Sequence, residues 1–395
     1  MCGIVAYIGP RDATPIILNG LKRLEYRGYD SAGVAIIEDG EIHIRRDVGK
    51  LARLQSLVSE QPLSGNLGIG HTRWATHGEP NERNAHPHMG ATGEVVIVHN
   101  GIVENYMSLR EELLAEGITL QSDTDSEVIV HLVEHYLAAS LPFEEAVRQA
   151  IGDLRGASAM VLISTREAGK IIAARVGNAG GIAIGIGEGE MFVASDMPAI
   201  LDHTRRMAFM EPGWLAVVSE AGFSTQTLAG EPVSAELHTI PWDPVAAEKG
   251  EYRHFMQKEI HEQVRAITDT IGGRVDFSTG TVFLPDLKLT EAAARRINRI
   301  VITACGTAAH AGMVGKVLIE ALARVPVEVS IASEFRYADP IMDENTVLLA
   351  ISQSGETADT LAAMAEGRER GATLWSIVNV IGSQAMRMAA GCIPM

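Results

Sequence analysis

The chain lacks a disulfide framework, a surplus of basic charge and any long apolar run. Three cysteines, Cys2, Cys305 and Cys392, are spread over 395 residues. They are too few and too scattered to staple a secreted fold, so the expected setting is the reducing cytoplasm. Lysine and arginine number 33 against 50 aspartates and glutamates, a net charge of −17. That balance argues against a nucleic-acid partner or an anionic membrane surface. No apolar run approaches the roughly 20 residues of a membrane-spanning helix. The start, Met1-Cys2-Gly3-Ile4-Val5-Ala6, has no basic region of the kind that opens a signal peptide. What remains, 46% hydrophobic and 21% charged residues, is the composition of a folded chain with two or three domains.

Two halves with different rhythms follow. Up to residue 240, short apolar runs alternate with glycines and turns. Val34–Ile37, Ile42–Ile44, Val95–His99, Met160–Ile163, Ile171–Ala174, Ile182–Ile186, Met191–Ala194 and Leu215–Val218 are predicted strands. Helical spacing marks Thr14–Leu24, Ser126–Ala139 and Phe143–Leu154. Consecutive strands with few helices predict stacked antiparallel sheets covered by helices, an α+β unit. Pro241 and Pro244 then mark a linker. After a helix near Arg253–Thr270, strands at Arg299–Thr303, Val327–Ile331, Thr346–Ile351 and Thr373–Val378 alternate with helices at Ala308–Ala323 and Thr357–Arg370. This alternation predicts a doubly wound α/β domain with a parallel sheet.

Chemistry concentrates at both ends. Removal of Met1 would put a free α-amine on Cys2. With a pKa near 8, that amine can take the thiol proton, so one residue supplies nucleophile and base. The bland alternative is a small buried residue opening a strand. Val98-His99-Asn100-Gly101 ends a strand with an amide and a glycine, which suits an oxyanion hole, a hairpin turn, or both together. His71-Thr72-Arg73-Trp74-Ala75-Thr76-His77-Gly78 offers a guanidinium fork, hydroxyls and an imidazole, a set suited to a carboxylate. Thr124-Asp125-Ser126-Glu127 reads as a capped helix start.

These segments, with Leu24-Glu25-Tyr26-Arg27-Gly28-Tyr29-Asp30-Ser31-Ala32-Gly33, resemble the N-terminal-nucleophile glutamine amidotransferases. Within them, the Arg-Gly-Tyr-Asp-Ser-Ala-Gly and Thr-Arg-Trp-Ala-Thr-His-Gly runs point to the family of glutamine–fructose-6-phosphate aminotransferases (isomerising). The resemblance implies an αββα sandwich at residues 2–240, in which Cys2 attacks the amide of L-glutamine and Asn100 and Gly101 hold the oxyanion. It further implies that Arg73, helped by Thr76 and His77, binds the α-carboxylate and Asp125 the α-ammonium. Trp74 would lie on a loop closing over glutamine and gating ammonia. Charge logic agrees, since a zwitterion needs one cation and one anion.

His71, His77, His86, His88 and His99 fall within 29 positions, yet no His-Glu-x-x-His or nearby cysteine pair accompanies them, so no metal is expected. No other cofactor is expected either. Gly185, Gly187 and Gly189, interleaved with Glu188 and Glu190, are read as a turn.

In the second half, loops follow two strands and open two helices: Ala304-Cys305-Gly306-Thr307-Ala308 and Ser352-Gln353-Ser354-Gly355-Glu356-Thr357. Free N–H groups at such helix starts bind phosphate, while the same hydroxyls could simply cap, with Glu356 in the first turn. Ser352–Thr360 and Ser333–Tyr337 resemble the sugar-isomerase (SIS) domain of the same family. By resemblance, Thr307, Ser352, Gln353, Ser354 and Thr357 contact fructose 6-phosphate. The family usually has serine where Ala308 stands, a lost hydroxyl costing about 0.5–1.5 kcal/mol if it made a neutral hydrogen bond.

The expected organisation is an amidotransferase domain at 2–240, a linker at 241–252, a helical connection at 253–287 and a first SIS domain at 288–395. The expected reaction gives glucosamine 6-phosphate and glutamate. Family members carry a second SIS domain, with the ring-opening histidine, enolising glutamate and Schiff-base lysine beyond the stretch matched here. The expectation is therefore a C-terminally truncated chain that hydrolyses glutamine only, its full-length form a homodimer. Two readings compete. One is another N-terminal-cysteine enzyme such as amidophosphoribosyltransferase, which would show paired acidic residues where this chain has Ser352-Gln353-Ser354-Gly355. The other is a non-catalytic sugar-phosphate-binding module.

Overall fold

The computed structural model describes residues 2–25, 28–177, 179–240, 252 and 254–395. The expected linker, Tyr252 apart, lies outside the described residues. No helix among those described is long and apolar enough to cross a membrane. Contacts divide the chain into two compact units, Met1–Glu248 and Lys249–Met395.

The first unit is built on two antiparallel sheets. The eight-stranded sheet runs in the order Leu237–Thr239, Arg206–Phe209, Ala183–Ile186, Met191–Ala194, Gly3–Ile8, Leu67–Arg73, Ser31–Glu38, Glu41–Val48. Its central strand, Gly3–Ile8, is buried at every position. The seven-stranded sheet runs Pro232–Val233, Gly222–Thr227, Trp214–Ser219, Ile171–Val176, Ser158–Ser164, Val95–Gly101, His88–Met89. Period-two alternation explains the layering, because successive side chains point to opposite faces. Ile4, Ala6 and Ile8 from one sheet meet Val96, Val98, Val161 and Ala173 from the other in a shared core. Val95, Ile97, Met160 and Leu162 point the other way, under the helices Glu127–Ala138 and Phe143–Gly152. Helix Ala13–Leu24 covers the outer face of the first sheet, burying Ile17, Leu21 and Leu24.

Two buried strands, Gly3–Ile8 and Leu67–Arg73, are absent from the predicted set. Their glycines weaken the strand signal but serve packing. A Cβ at Gly70 would stand 2.4 Å from Ile17 of the covering helix, so that helix seats only over small residues. Helices Leu51–Glu60 and Tyr106–Ala115 were likewise not predicted. The Gly185–Gly189 region is a hairpin turn, as read, with Gly187 N–H donating to Glu190 O at 3.0 Å.

The second unit holds a parallel five-stranded sheet in the order Val327–Ile331, Arg299–Ala304, Thr346–Ser352, Thr373–Val378, Gly391–Pro394. Strand order reverses at Arg299–Ala304, the first of these strands in the chain. The doubly wound reading therefore stands, with its crevice at the carboxyl ends of Arg299–Ala304 and Thr346–Ser352. Helix Thr307–Leu322 leaves the first of these strands, and the loop leading to Ala358–Glu369 leaves the second. The preceding helix, Phe255–Ile271, exposes Met256, Ile260, Val264, Ile267 and Ile271 at helical spacing.

Candidate active site

Cys2 sits at the head of the central strand, and its neighbours come from both sheets. The register pairs Gly3 with Thr72 and Ile4 with His71, which brings the end of Leu67–Arg73 beside the thiol. Cys2 Sγ accepts from the Trp74 N–H at 3.2 Å. From the opposite sheet, Asn100 Nδ2 donates to Cys2 O at 3.1 Å. Burial pushes the Cys2 thiol pKa above its ordinary value, a shift opposed by the Trp74 hydrogen bond. A thiol held up in this way is protonated at neutral pH and needs a base before it can attack.

Asn100 and Gly101 close the strand Val95–Gly101 without a hairpin turn, because the chain continues into helix Tyr106–Ala115. The turn alternative is thereby excluded. Gly101 has φ +141°, and a Cβ there would lie 2.3 Å from Ala157 O. Only glycine fits.

Arg73 is buried, 4% exposed. Its Nη2 donates to Gly78 O at 3.0 Å and to His77 O, while Nη1 is buried without a hydrogen-bond partner. Burial lowers the guanidinium pKa, and the nearby Asp30, Cys2 and Asp125 charges oppose that shift. A buried cationic donor left open is costly unless an anion completes it. Thr76 Oγ1 meets His77 Nδ1 at 3.4 Å, and the His77 ring lies 5.3 Å from Tyr106. Trp74 is 49% exposed, and its ring meets Tyr29 edge-on at 5.5 Å.

Asp125 is buried, and its Oδ2 accepts from Val103 N–H at 2.8 Å. The capping expectation fails here. Ser126 is the cap residue of Glu127–Ala138 and makes no side-chain cap bond; its Oγ instead meets His99 Nδ1 at 2.8 Å. Sequence reasoning missed Asp30 as a site residue. Its carboxylate accepts from Ala75 N–H and its own N–H donates to Arg73 O at 3.2 Å, tying down the loop after Arg73. The signal available was its place in the Tyr29-Asp30-Ser31 run, which names no partner.

The histidines form a buried layer. His71 and His86 rings meet at 4.3 Å, tilted by 34°, and His86 meets His88 edge-on at 4.4 Å. His88 Nε2 bonds Thr124 Oγ1 at 3.1 Å, and His99 Nε2 bonds Ser158 Oγ at 3.0 Å. Burial, the largest cause in each case, drives His71 and His88 down to about 3 and lowers His86 and His99 as well. Among the described residues, no three His, Cys, Asp or Glu side chains converge as a metal-ligand set.

In the second unit, Ser352 Oγ lies 3.1 Å from Thr357 Oγ1 and accepts from Gly355 N–H at 3.0 Å. Ser354 Oγ accepts from Glu356 N–H at 3.2 Å. Thr357 caps Ala358–Glu369 without a side-chain bond, and Glu356 lies outside the helix, its Oε1 accepting from Gln384 N–H at 2.8 Å. The capping box is therefore not what these residues form. Gln353 and Thr307 are exposed at the crevice.

Comparison with known proteins adds to this geometry. The family "Glutamine amidotransferase domain" matches residues 71–202, and the family "SIS domain" matches 295–395. In fold, the chain is similar to the glutamine phosphoribosylpyrophosphate amidotransferase of B. subtilis, with TM-score 0.53 and 17% identity over 95% of this chain and 81% of that one. The class is thus a glutamine amidotransferase domain followed by a SIS domain. At the level of sequence, 389 residues are 50% identical to the glutamine–fructose-6-phosphate aminotransferase (isomerizing) of Symbiobacterium thermophilum. The Pyrococcus horikoshii protein of the same name is 48% identical over 391 residues. The chain is a homologue of these aminotransferases. The match covers 98% of this chain but only 63% and 64% of those relatives.

Proposed function

We propose that the first unit hydrolyses L-glutamine and that, in the whole protein, the ammonia passes to fructose 6-phosphate, giving glucosamine 6-phosphate and glutamate. The observation that carries the first step is the meeting of Cys2 with Asn100 across the two sheets, beside a buried Arg73 with one unpartnered nitrogen. After loss of Met1, the Cys2 α-amine takes the thiol proton and Sγ attacks the amide carbon. Asn100 Nδ2 and Gly101 N–H hold the oxyanion of the tetrahedral adduct. The adduct collapses as the amine returns the proton to the leaving nitrogen, and ammonia departs. Water then cleaves the thioester to glutamate and the free thiol. Arg73, with Thr76 and His77, takes the substrate α-carboxylate, Asp125 its α-ammonium, and Trp74 covers the bound amino acid.

The second unit binds the sugar phosphate at the crevice, where Thr307, Ser352, Gln353, Ser354 and Thr357 surround two loops at strand ends. The domain limits we propose are 2–240, a linker at 241–252, a connection at 253–287 and a SIS domain from 288. Three free cysteines support a cytoplasmic setting. The exposed apolar row of helix Phe255–Ile271 supports a homodimeric whole protein.

The test is glutamate release from glutamine by the purified chain and by Cys2→Ala. Release should occur with the first and fall to background with the second. Equal release by both overturns the reading.

A further inference from the structure

We propose that His71 is a positioning residue that holds the Asn100 carboxamide in the orientation the oxyanion hole needs. The inference deepens the glutaminase reading and rests on it. Asn100 is an ambivalent oxyanion donor, because its side chain ends in one acceptor and one donor group of nearly equal size. Only one orientation serves. With Nδ2 toward Cys2, one N–H goes to Cys2 O at 3.1 Å and the second is free for the substrate oxygen. Turned over, the amide would set Oδ1 against Cys2 O, two lone-pair-bearing oxygens at that separation, and would offer the oxyanion no donor.

The choice is made on the far side of the amide. His71 Nε2 lies 2.9 Å from Asn100 Oδ1, and His71 is fully buried. A neutral imidazole carries a single N–H. Placed on Nε2, it donates to Oδ1 and fixes the amide. Placed on Nδ1, which makes no bond of good geometry, it would leave at most a weak pull from the His99 carbonyl and turn a bare Nε2 toward Oδ1, two acceptors face to face. The first tautomer is therefore the stable one. Desolvation keeps the ring neutral, as its depressed pKa of about 3 reflects, so the donor persists without adding a charge beside the developing oxyanion. The backbone adds rigidity. His71 pairs with Ile4 on one side and Gly33 on the other, and its ring is backed by His86 at 4.3 Å.

The experiment compares wild type, His71→Leu, His71→Gln and His71→Asn in glutamine hydrolysis. Each protein is first checked for folding by thermal melting. A leucine removes the donor. The amide nitrogen of glutamine stands near the place of Nε2, whereas that of asparagine stands near Nδ1. The expected result for His71→Leu is a kcat lowered about 100-fold, the scale of losing one oxyanion donor, with KM for glutamine within about threefold. Inhibition by glutamate γ-semialdehyde, whose thiol adduct is tetrahedral, should weaken by a similar factor, while inhibition by glutamate should not change. His71→Gln should recover at least about tenfold of the lost rate, and His71→Asn should not. If His71→Leu fails to fold, the Gln and Asn pair carries the comparison. A kcat within about threefold of wild type for His71→Leu or His71→Asn overturns the proposal. So does an equal loss in the Gln and Asn variants with aldehyde affinity unchanged, which is what a merely structural role gives. Absence of glutamate release from wild type overturns the parent reading and this one with it.

Discussion

Acidification is the perturbation that separates the buried histidine layer from the surface histidines. An exposed histidine is half charged near pH 6.5. His71 and His88, held at about 3 by burial, stay neutral at pH 5.0, where a solvated ring is about 97% charged. The sign follows from proton counting. The folded chain binds fewer protons than the unfolded one, so stability is full above about pH 6.5 and drains as pH falls towards 3. At pH 5.0, the gap of 1.5 pH units below the free value corresponds to about 2 kcal/mol for each of the two rings. Glu127, held at about 2 by hydrogen bonds from His131, Gln121 and Ser122 against the opposing effect of burial, works in the same direction below about pH 4.5. The assay is NMR of ring-labelled protein between pH 8 and 5, with the signals of the 13 histidines assigned by single replacement, alongside thermal melts at pH 7.5 and 5.0. His71 and His88 should show no titration in that range, His86 and His99 should titrate below the solvated rings, and the melting temperature should drop. A midpoint above about 6 for either His71 or His88 would refute the reasoning, as would a melting temperature that does not fall.

Two further outcomes follow from single side chains. Arg73→Lys replaces a fork that spans His77 O, Gly78 O and an open Nη1 with one ammonium. Losing charge-assisted bonds worth about 1.5–3 kcal/mol should raise KM for glutamine about 10–100-fold and change kcat less, as initial rates against glutamine concentration will show. Gly355→Ala puts a Cβ 2.0 Å from Ser383 Oγ at φ +65°. Calorimetry should find fructose 6-phosphate affinity at least about tenfold weaker, and an unchanged affinity would remove that loop from the phosphate site.

The sequence was most legible where chemistry and chain order coincide. The thiol of Cys2, the Asn100-Gly101 pair and the Arg73 fork are residue types with few other uses together, and the structure gathers Cys2, Asn100 and Arg73 at one strand head. Strand alternation in the second half was equally plain, since apolar β-branched runs such as Arg299–Ala304 stand between helices. Other features were hidden for physical reasons. Leu67–Arg73 is a fully buried strand whose glycines make room for helix Ala13–Leu24, so its composition reports packing rather than strand propensity. Helix Tyr106–Ala115 buries only Leu109 and Leu113 and shows almost no apolar face. The tasks of Asp30 and His71 depend on partners 45 and 29 positions away, a distance no local pattern encodes.

The central position of Gly3–Ile8 has a consequence for how the molecule comes into being. The strand leaves the ribosome ahead of both its neighbours, Leu67–Arg73 and Met191–Ala194. At 5–20 residues per second, the second neighbour emerges about 10–40 s after the first strand. Until then, a wholly apolar segment waits with one edge unpaired, and it can close its ladder only through contacts of high sequence separation, the slow kind. Ser195, whose Oγ accepts from Ile4 N–H at 2.9 Å, completes that clasp. Cys2 is thus translated well before its strand gains its second neighbour. A nascent chain shorter than about 195 residues should carry the nucleophile without the surroundings that make it one.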